Sequence, residues 1–339
     1  MTVRAGLDVG GAHLKVAVVE NGRTVAVQQF RCRLWLGLEK LETALRKAAP
    51  LLSRADEFAI TMTGELSDVF PDRITGVQTI VARMASNFGP KAQFWMGPRG
   101  FGSADDARAH PRDVGSTNFL ATAALAARTY PDALIIDFGS TTADIIAVRN
   151  GAAAVTGLTD AIRQTTGELV YTGFTRTAVM GVATRAPFNG EWVTFAREHL
   201  ATMADIRRIL GTDLTEFDQH ATADGKDKSV ASSTVRLARM LGRDATEGTA
   251  ADWHTVASYV REDQLRSIHD GALQVLSRTP LPEAAPVIAA GIGAADVSVI
   301  ASRLGRRVIA FAQLANAAPD IAPWATACAP AVSVALLMN

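Results

Sequence analysis

The sequence predicts an α/β chain folded as two lobes about a ligand cleft. Three observations lead there: the length, an alternation of short apolar strands with helical stretches, and a strand, Asp, turn, strand pattern that occurs once in each half. A chain of 339 residues is too long for one typical domain and comfortable for two, and clefts between lobes commonly hold ligands. Residues 3–9, 14–20 and 24–30 read as strands separated by turn signals at Gly10-Gly11 and Asn21-Gly22, an antiparallel meander. A helical stretch at 38–49, a buried strand at 57–61 and a helix at 75–87 follow.

A helix at 114–128 then leads to strands at 133–137 and 143–149 and an Asn150-Gly151 turn into 152–156, so the opening pattern repeats. From 159 to about 190 the chain is rich in Thr and Gly and reads as an insertion carrying loops. Helical patterns return at 192–210, 229–241 and 250–277, before a strand at 287–290, a helix and a further strand. The apolar run 325–337 is too short to span a membrane and reads as a buried helix. The expected division is a first lobe at 1–128, with the segment 324–339 packing back on it, and a second lobe at 129–323 with an insertion at about 159–280.

Composition narrows the partners. With 34 basic and 34 acidic residues, nothing draws the chain electrostatically to nucleic acid or a membrane surface, so small-molecule substrates are expected. Cys32 and Cys328 stand far apart without neighbours at ligand spacing, which argues against a zinc site or a disulfide framework and fits a reducing cytoplasm. The first twenty residues lack an uninterrupted apolar segment of the signal or transmembrane kind. The sequence leaves monomer and homodimer both open.

The chemistry-bearing residues lie at three turns. In Asp8-Val9-Gly10-Gly11-Ala12-His13-Leu14-Lys15 a carboxylate ends an apolar strand and glycines follow, which lets backbone N–H groups face phosphate oxygens while the Asp holds Mg²⁺. Alone, the segment reads equally well as a plain hairpin. Asp137-Phe138-Gly139-Ser140-Thr141-Thr142-Ala143-Asp144 repeats the arrangement, and two such turns can present themselves to one ligand from opposite sides. A third turn, Gly291-Ile292-Gly293, ends a strand before a helix and permits close backbone approach by a base, sugar or phosphate, or simply close packing.

Together these turns resemble the two phosphate motifs and the adenosine motif of the actin, hexokinase and Hsp70 superfamily. That resemblance implies an actin-like, ribonuclease H-like fold with an inserted helical and loop region. It carries Mg²⁺ coordination to Asp8 and Asp137 and phosphate contacts to Gly10, Gly11, Lys15, Gly139, Ser140, Thr141 and Thr142. A narrower likeness rests on Thr63-Gly64-Glu65-Leu66-Ser67-Asp68, the 137–144 turn, Gly167-Glu168-Leu169-Val170-Tyr171-Thr172-Gly173, Arg176-Thr177, Ala201-Thr202-Met203-Ala204-Asp205, Thr222-Ala223-Asp224-Gly225 and Arg236-Leu237-Ala238-Arg239-Met240. These runs resemble the hydantoinase/oxoprolinase-like proteins of the tetrahydromethanopterin-linked C1-transfer pathway. Departures are Asn118-Phe119-Leu120, where Asn-Trp-Leu is expected, and Ala143 in place of a third Thr.

The narrower resemblance implies a transferase of methanofuran or methylofuran assembly, in which a phenol oxygen displaces diphosphate from a furan-CH₂ carbon. Two anion turns and Mg²⁺ suit charge growing on diphosphate. A phenol, with an ordinary pKa near 10, gains from a base, and Glu65, Asp144 and Glu168 are the acidic candidates, with Lys15 as the catalytic cation. Glu65 reads alternatively as a cap or hinge residue, Glu168 as a solvated loop acid, and His13 as a structural histidine. Tyr171, Arg176, Asp224, Arg236, Arg239, Gly291 and Gly293 are the candidate substrate contacts, Arg236 and Arg239 sharing a helix face by their spacing. The rival expectation is an ATP-using small-molecule kinase or amidohydrolase component of the same superfamily, and a weaker one is a nucleotide-responsive switch.

Overall fold

A computed structural model describes residues 2–338. The first lobe opens with β1 (Val3–Val9), β2 (His13–Glu20) and β3 (Arg23–Arg31), the expected meander. Helix α1 (Glu39–Leu52) leads to β4 (Glu57–Met62), and α2 (Arg73–Phe88) leads to β5 (Ala92–Trp95) and β6 (Phe101–Gly102). The sheet order is β3-β2-β1-β4-β5-β6, with β1, β4 and β5 parallel. Leu41, Ala44, Leu45, Ala48 and Leu52 fall on one face of α1 at helical spacing and bury against one side of this sheet, beside Val77, Ile80 and Met84 of α2.

Two short helices, α3 (Ala104–Ala109) and α4 (Pro111–Val114), precede α5 (Asn118–Ala127). The helix expected over 114–128 therefore starts later. Ser116 takes a positive φ of 54°, which no α-helix accommodates, and Gly115 bridges to Met62 at the end of β4. Asn118 is thereby placed at a helix start facing the first turn.

The second lobe repeats the plan with β7 (Ala133–Phe138), β8 (Ala143–Arg149) and the short β9 (Ala152–Ala153). Then come α6 (Asp160–Thr165), β10 (Leu169–Val170), the hairpin β11 (Arg185–Phe188) and β12 (Glu191–Thr194), α7 (Met203–Ile209), α8 (Val230–Met240) and α9 (Ala250–Arg278). The long helix expected over 192–210 is instead β12 followed by α7. Asn189 and Gly190, both at positive φ, make a hairpin turn that extends the strand through Trp192 and Val193, and α7 starts only at the Thr202–Asp205 capping box.

The lobe closes with β13 (Val287–Ala290), α10 (Ala294–Arg303) and β14 (Val308–Ala310). Its sheet runs β10-β8-β7-β13-β14, with β9 paired to β8. Around β7 the antiparallel hairpin and the two parallel neighbours repeat those around β1, so both lobes are ribonuclease H-like and the whole is the two-lobed actin-like fold. After β14 the chain continues through α11 (Phe311–Leu314), α12 (Ala322–Ala327) and α13 (Ala329–Leu337). Helix α13 packs on β1, β2, β4 and α5, so closely that a Cβ on Gly6 would sit 1.9 Å from the Ala331 carbonyl oxygen. Residues of α5 and α13 share one core with Ile135, Ile146 and Ile288 of the second lobe, which ties the lobes together. Among the described residues no helix is long and apolar enough to cross a membrane.

Candidate active site

The doubled hairpin places the two turns in register. Asp8 stands opposite Lys15 across β1 and β2, and Asp137 stands opposite Asp144 across β7 and β8. Each turn closes in the same way: the Gly10 N–H donates to the His13 carbonyl at 3.0 Å, and the Gly139 N–H to the Thr142 carbonyl at 2.9 Å. Both turns open on one cleft of about 540 Å³ between the lobes. Gly10, Gly11, Lys15, Gly139, Ser140, Thr141, Thr142, Asp144, Tyr171 and Arg176 all line it, together with Asp8 and Asp137.

The charges are arranged for an anion accompanied by a cation. Lys15 Nζ lies 3.4 Å from Asp8 Oδ2; against the pull of burial, Asp8, Cys328 and Asp137 hold its ammonium above the ordinary lysine value. Burial raises Asp8 despite Lys15, and it pushes Asp137 up to about 7, with Asp144 and Asp8 adding to the effect of burial and Lys15 opposing it. Asp8 Oδ1 is buried and has no hydrogen-bond partner. A divalent cation would relieve this concentration of carboxylates, so Asp8 and Asp137 fit Mg²⁺. Among the described residues no cluster of three His, Cys, Asp or Glu stands ready to hold an ion.

Two arginines frame the second turn. Arg176 Nη1 donates to Thr141 Oγ1 at 3.2 Å. Arg163, nearly buried, pairs with Asp144 Oδ1 at 2.8 Å and lies over the Phe119 ring at 3.5 Å. Arg163, Asn118 and Trp35 are cleft residues that the sequence did not single out. The distinctive position of Asn118 follows from the broken helix before it, whereas Arg163 gave no signal, because its partner lies on a strand outside its own helix. His13, weighed as a structural histidine, also lines the cleft.

Several expected contacts are corrected. Glu65 is fully buried behind Ser116, whose hydroxyl donates to it at 2.5 Å, with Arg73 at 3.7 Å; it joins β4, α2 and the 115–117 break instead of facing substrate. Glu168 is buried too, accepting from the Thr156 N–H at 2.8 Å and from Arg278 at 2.7 Å. Arg236 is wholly buried, bonded to Asp205 at 2.9 Å and Asp224 at 3.0 Å, while Arg239 is half exposed. Both arginines reach Asp224, Arg239 at 3.9 Å, as their shared face implies, but none of Asp224, Arg236 and Arg239 lines the cleft.

Gly291 and Gly293 serve packing. Gly291 has φ +80°, and a Cβ there would lie 2.3 Å from the Phe138 carbonyl oxygen; one on Gly293 would lie 2.3 Å from the Phe138 ring and 2.9 Å from that of Phe174. Arg207 closes the same region, 4.2 Å from the Phe174 ring centroid and 2.6 Å from Asp296 at the start of α10.

The family model described as hydantoinase/oxoprolinase matches residues 56–317. The chain belongs to the hydantoinase/oxoprolinase family. Among curated relatives of this family member, the (4-{4-[2-(γ-L-glutamylamino)ethyl]phenoxymethyl}furan-2-yl)methanamine synthase of Methanocaldococcus jannaschii is 31% identical over 70% of this chain and 71% of its own length. The protein of the same name from Methanococcus vannielii is 31% identical over 37% of this chain and 55% of its own. Solved structures similar to this hydantoinase/oxoprolinase member include a ROK family glucokinase from Streptomyces griseus, with TM-score 0.49, 14% identity and 98% of each chain covered. Another is component A of the Acidaminococcus fermentans (R)-2-hydroxyglutaryl-CoA dehydratase, with TM-score 0.46, 12% identity and coverage of 99% of this chain and 97% of that one.

For Glu65 the burial gives a clear expectation. Glu65→Gln keeps the hydrogen bond to Ser116 and leaves turnover within a few-fold, whereas Glu65→Ala lowers stability by roughly 1–3 kcal/mol through the stranded partners. Steady-state kinetics and thermal melts on both variants check this.

Proposed function

We propose that the chain is a transferase of methylofuran or methanofuran assembly. In the proposed reaction the phenol oxygen of γ-glutamyltyramine, or of a tyrosine analogue, displaces diphosphate from (aminomethylfuranyl)methyl diphosphate. The observation that carries the proposal is a single polar cleft into which both turns and Lys15, Arg163 and Arg176 project, and whose lining includes neither Gly291 nor Gly293. The name of the curated relatives, a phenoxymethylfuran product, supports the same chemistry.

In this reaction the bond from the furan CH₂ to the leaving oxygen breaks, its electron pair stays on diphosphate, and a new bond forms to the phenol oxygen. The furan ring spreads the positive charge developing on carbon, so the difficult charge is the one on diphosphate. Preorganised N–H groups of the two turns, Lys15 and Arg176 meet it, in a site where donors need no reorganisation. Mg²⁺ held by Asp8 and Asp137 would supply further charge neutralisation when bound. Asp144 faces the cleft, but Arg163 holds it as an ion pair, so its assigned role is to place the Arg163 guanidinium. Lys15→Ala is expected to raise the KM for the furan diphosphate about tenfold or more, with the KM for the phenol little changed.

Calorimetric titration tests the ligand class. With Mg²⁺ present, inorganic diphosphate is expected to bind and ATP to bind no more tightly. ATP binding at least tenfold tighter than diphosphate would move the protein to the kinase or amidohydrolase reading.

A further inference from the structure

At one end of the cleft His13 and Trp35, which line it, meet His220, which is not part of the lining. His13 Nε2 lies 3.0 Å from His220 Nε2, and the two rings meet edge to face at 4.7 Å. Trp35 stacks near His220 at 6.1 Å, and the Arg176 guanidinium lies over Trp35 at 5.3 Å. Arg176 also reaches Thr141, so one side chain joins the aromatic end to the second anion turn.

His220 arrives from far away in sequence. It sits on the segment 211–229 between α7 and α8, a strap that crosses from the second lobe to the first. Gln219 Nε2 donates to the Gln29 carbonyl at 3.0 Å, Gln29 Nε2 returns a bond to the Phe217 carbonyl at 3.3 Å, and Phe217 packs on Trp324 at 4.6 Å. On the other side the strap is pinned by Asp218 to Arg208 and by Asp224 to Arg236, and Lys228 closes on Asp218 within the strap itself. That much polar anchoring fixes the position of His220.

Resting on the function proposed above, we propose that His13 and His220 form the acceptor site: they bind the phenol O–H beside Trp35 and take up its proton as the aryl ether forms. A neutral pair of imidazoles carries two N–H groups and two unprotonated nitrogens. The shared hydrogen bond uses one of each, and when His13 donates it the unprotonated nitrogen left over is Nδ1 of His13, the ring that lines the cleft.

Burial lowers both rings, His13 well below the ordinary histidine value and His220 to about 4, with Arg176 and Arg31 contributing to each. The pair is thus neutral at pH 7, the state that accepts. A weak base is sufficient here. When the furan CH₂ carbon is already cationic, neutral phenol attacks and the resulting protonated ether is a strong acid. Its proton passes to the free ring nitrogen, the new carbon–oxygen bond stays, and diphosphate leaves with its electron pair.

The test uses the intact protein with His220→Ala and, as a second variant, Trp35→Phe. His220→Ala is expected to lower kcat by roughly 10²–10³-fold with the KM for the furan diphosphate unchanged within twofold, and added imidazole restores part of the rate. In a separate arm, γ-glutamyltyramine is titrated against tryptophan fluorescence in the presence of Mg²⁺ and inorganic diphosphate. Wild type binds it, and His220→Ala and Trp35→Phe bind about tenfold more weakly. Turnover by His220→Ala equal to wild type, or a loss that raises both KM values alike and resists imidazole, would overturn the proposal. If wild type fails to couple the two compounds, the function proposed above falls, and the binding arm still decides the site: weakened acceptor binding in both variants supports it, and unchanged binding removes it.

Discussion

Replacing Asp137 with asparagine is expected to reduce turnover by at least about 10³-fold while leaving the protein folded and more resistant to heat. Asp137 ends β7, where it faces the cleft opposite Asp144 and within the field of Asp8. Burial pushes its carboxyl up to about 7, so the folded chain binds this proton more tightly than the unfolded chain does. The contribution of this group to stability is therefore complete below pH 4, declines as pH rises, and is lost once pH passes 7. At neutral pH the ionised form opposes folding, and a neutral amide of the same shape removes that cost, with Tm rising by roughly 2–4 °C per kcal/mol recovered. The function proposed above asks the reverse, because a metal ion bound here would need the carboxylate ionised. Kinetics and thermal melts on one preparation measure both effects, and loss of activity with a lowered Tm would point to a structural role only.

Arg236→Ala is the substitution expected to cost most in stability, about 3–5 kcal/mol. The guanidinium is wholly buried and satisfies Asp205, Asp224 and the Asp227 carbonyl at once. Its removal leaves the fully buried Asp205 with only the longer ion pair to Arg208 at 3.3 Å and frees the strap that carries His220. Thermal unfolding should show a drop of several degrees or more, and activity measured well below the new midpoint should fall through the acceptor KM before kcat. An unchanged Tm would mean that the buried carboxylates find other partners.

The two Asp-Gly turns were legible in the sequence because the pattern is local: an Asp ending an apolar strand is followed two positions later by glycine, once in each half. Strand ends were legible for the same reason, being set by apolar runs and Asn-Gly turns. The misreadings share one cause. Glu65, Glu168 and Arg236 look like ligand groups as a string of letters, yet each is hydrogen-bonded to a partner 51, 110 or 31 positions away, which only the fold brings near. The same separation hid the aromatic end of the cleft, where His13 and His220 are 207 positions apart. Gly291 and Gly293 pointed to close approach, and close approach is what they provide, but to Phe138 and Phe174 of the protein itself. The expectation of a helix over 192–210 took no account of the Asn189-Gly190 turn, which pairs β12 with β11.

The most direct measurement is a turnover assay without nucleotide. Purified protein is incubated with Mg²⁺, (aminomethylfuranyl)methyl diphosphate and γ-glutamyltyramine, and diphosphate release is followed alongside the coupled ether by mass spectrometry. The geometry of the cleft predicts release and coupling in equal amounts with ATP absent. No ether without ATP, together with ATP consumption in the presence of either compound, would contradict it.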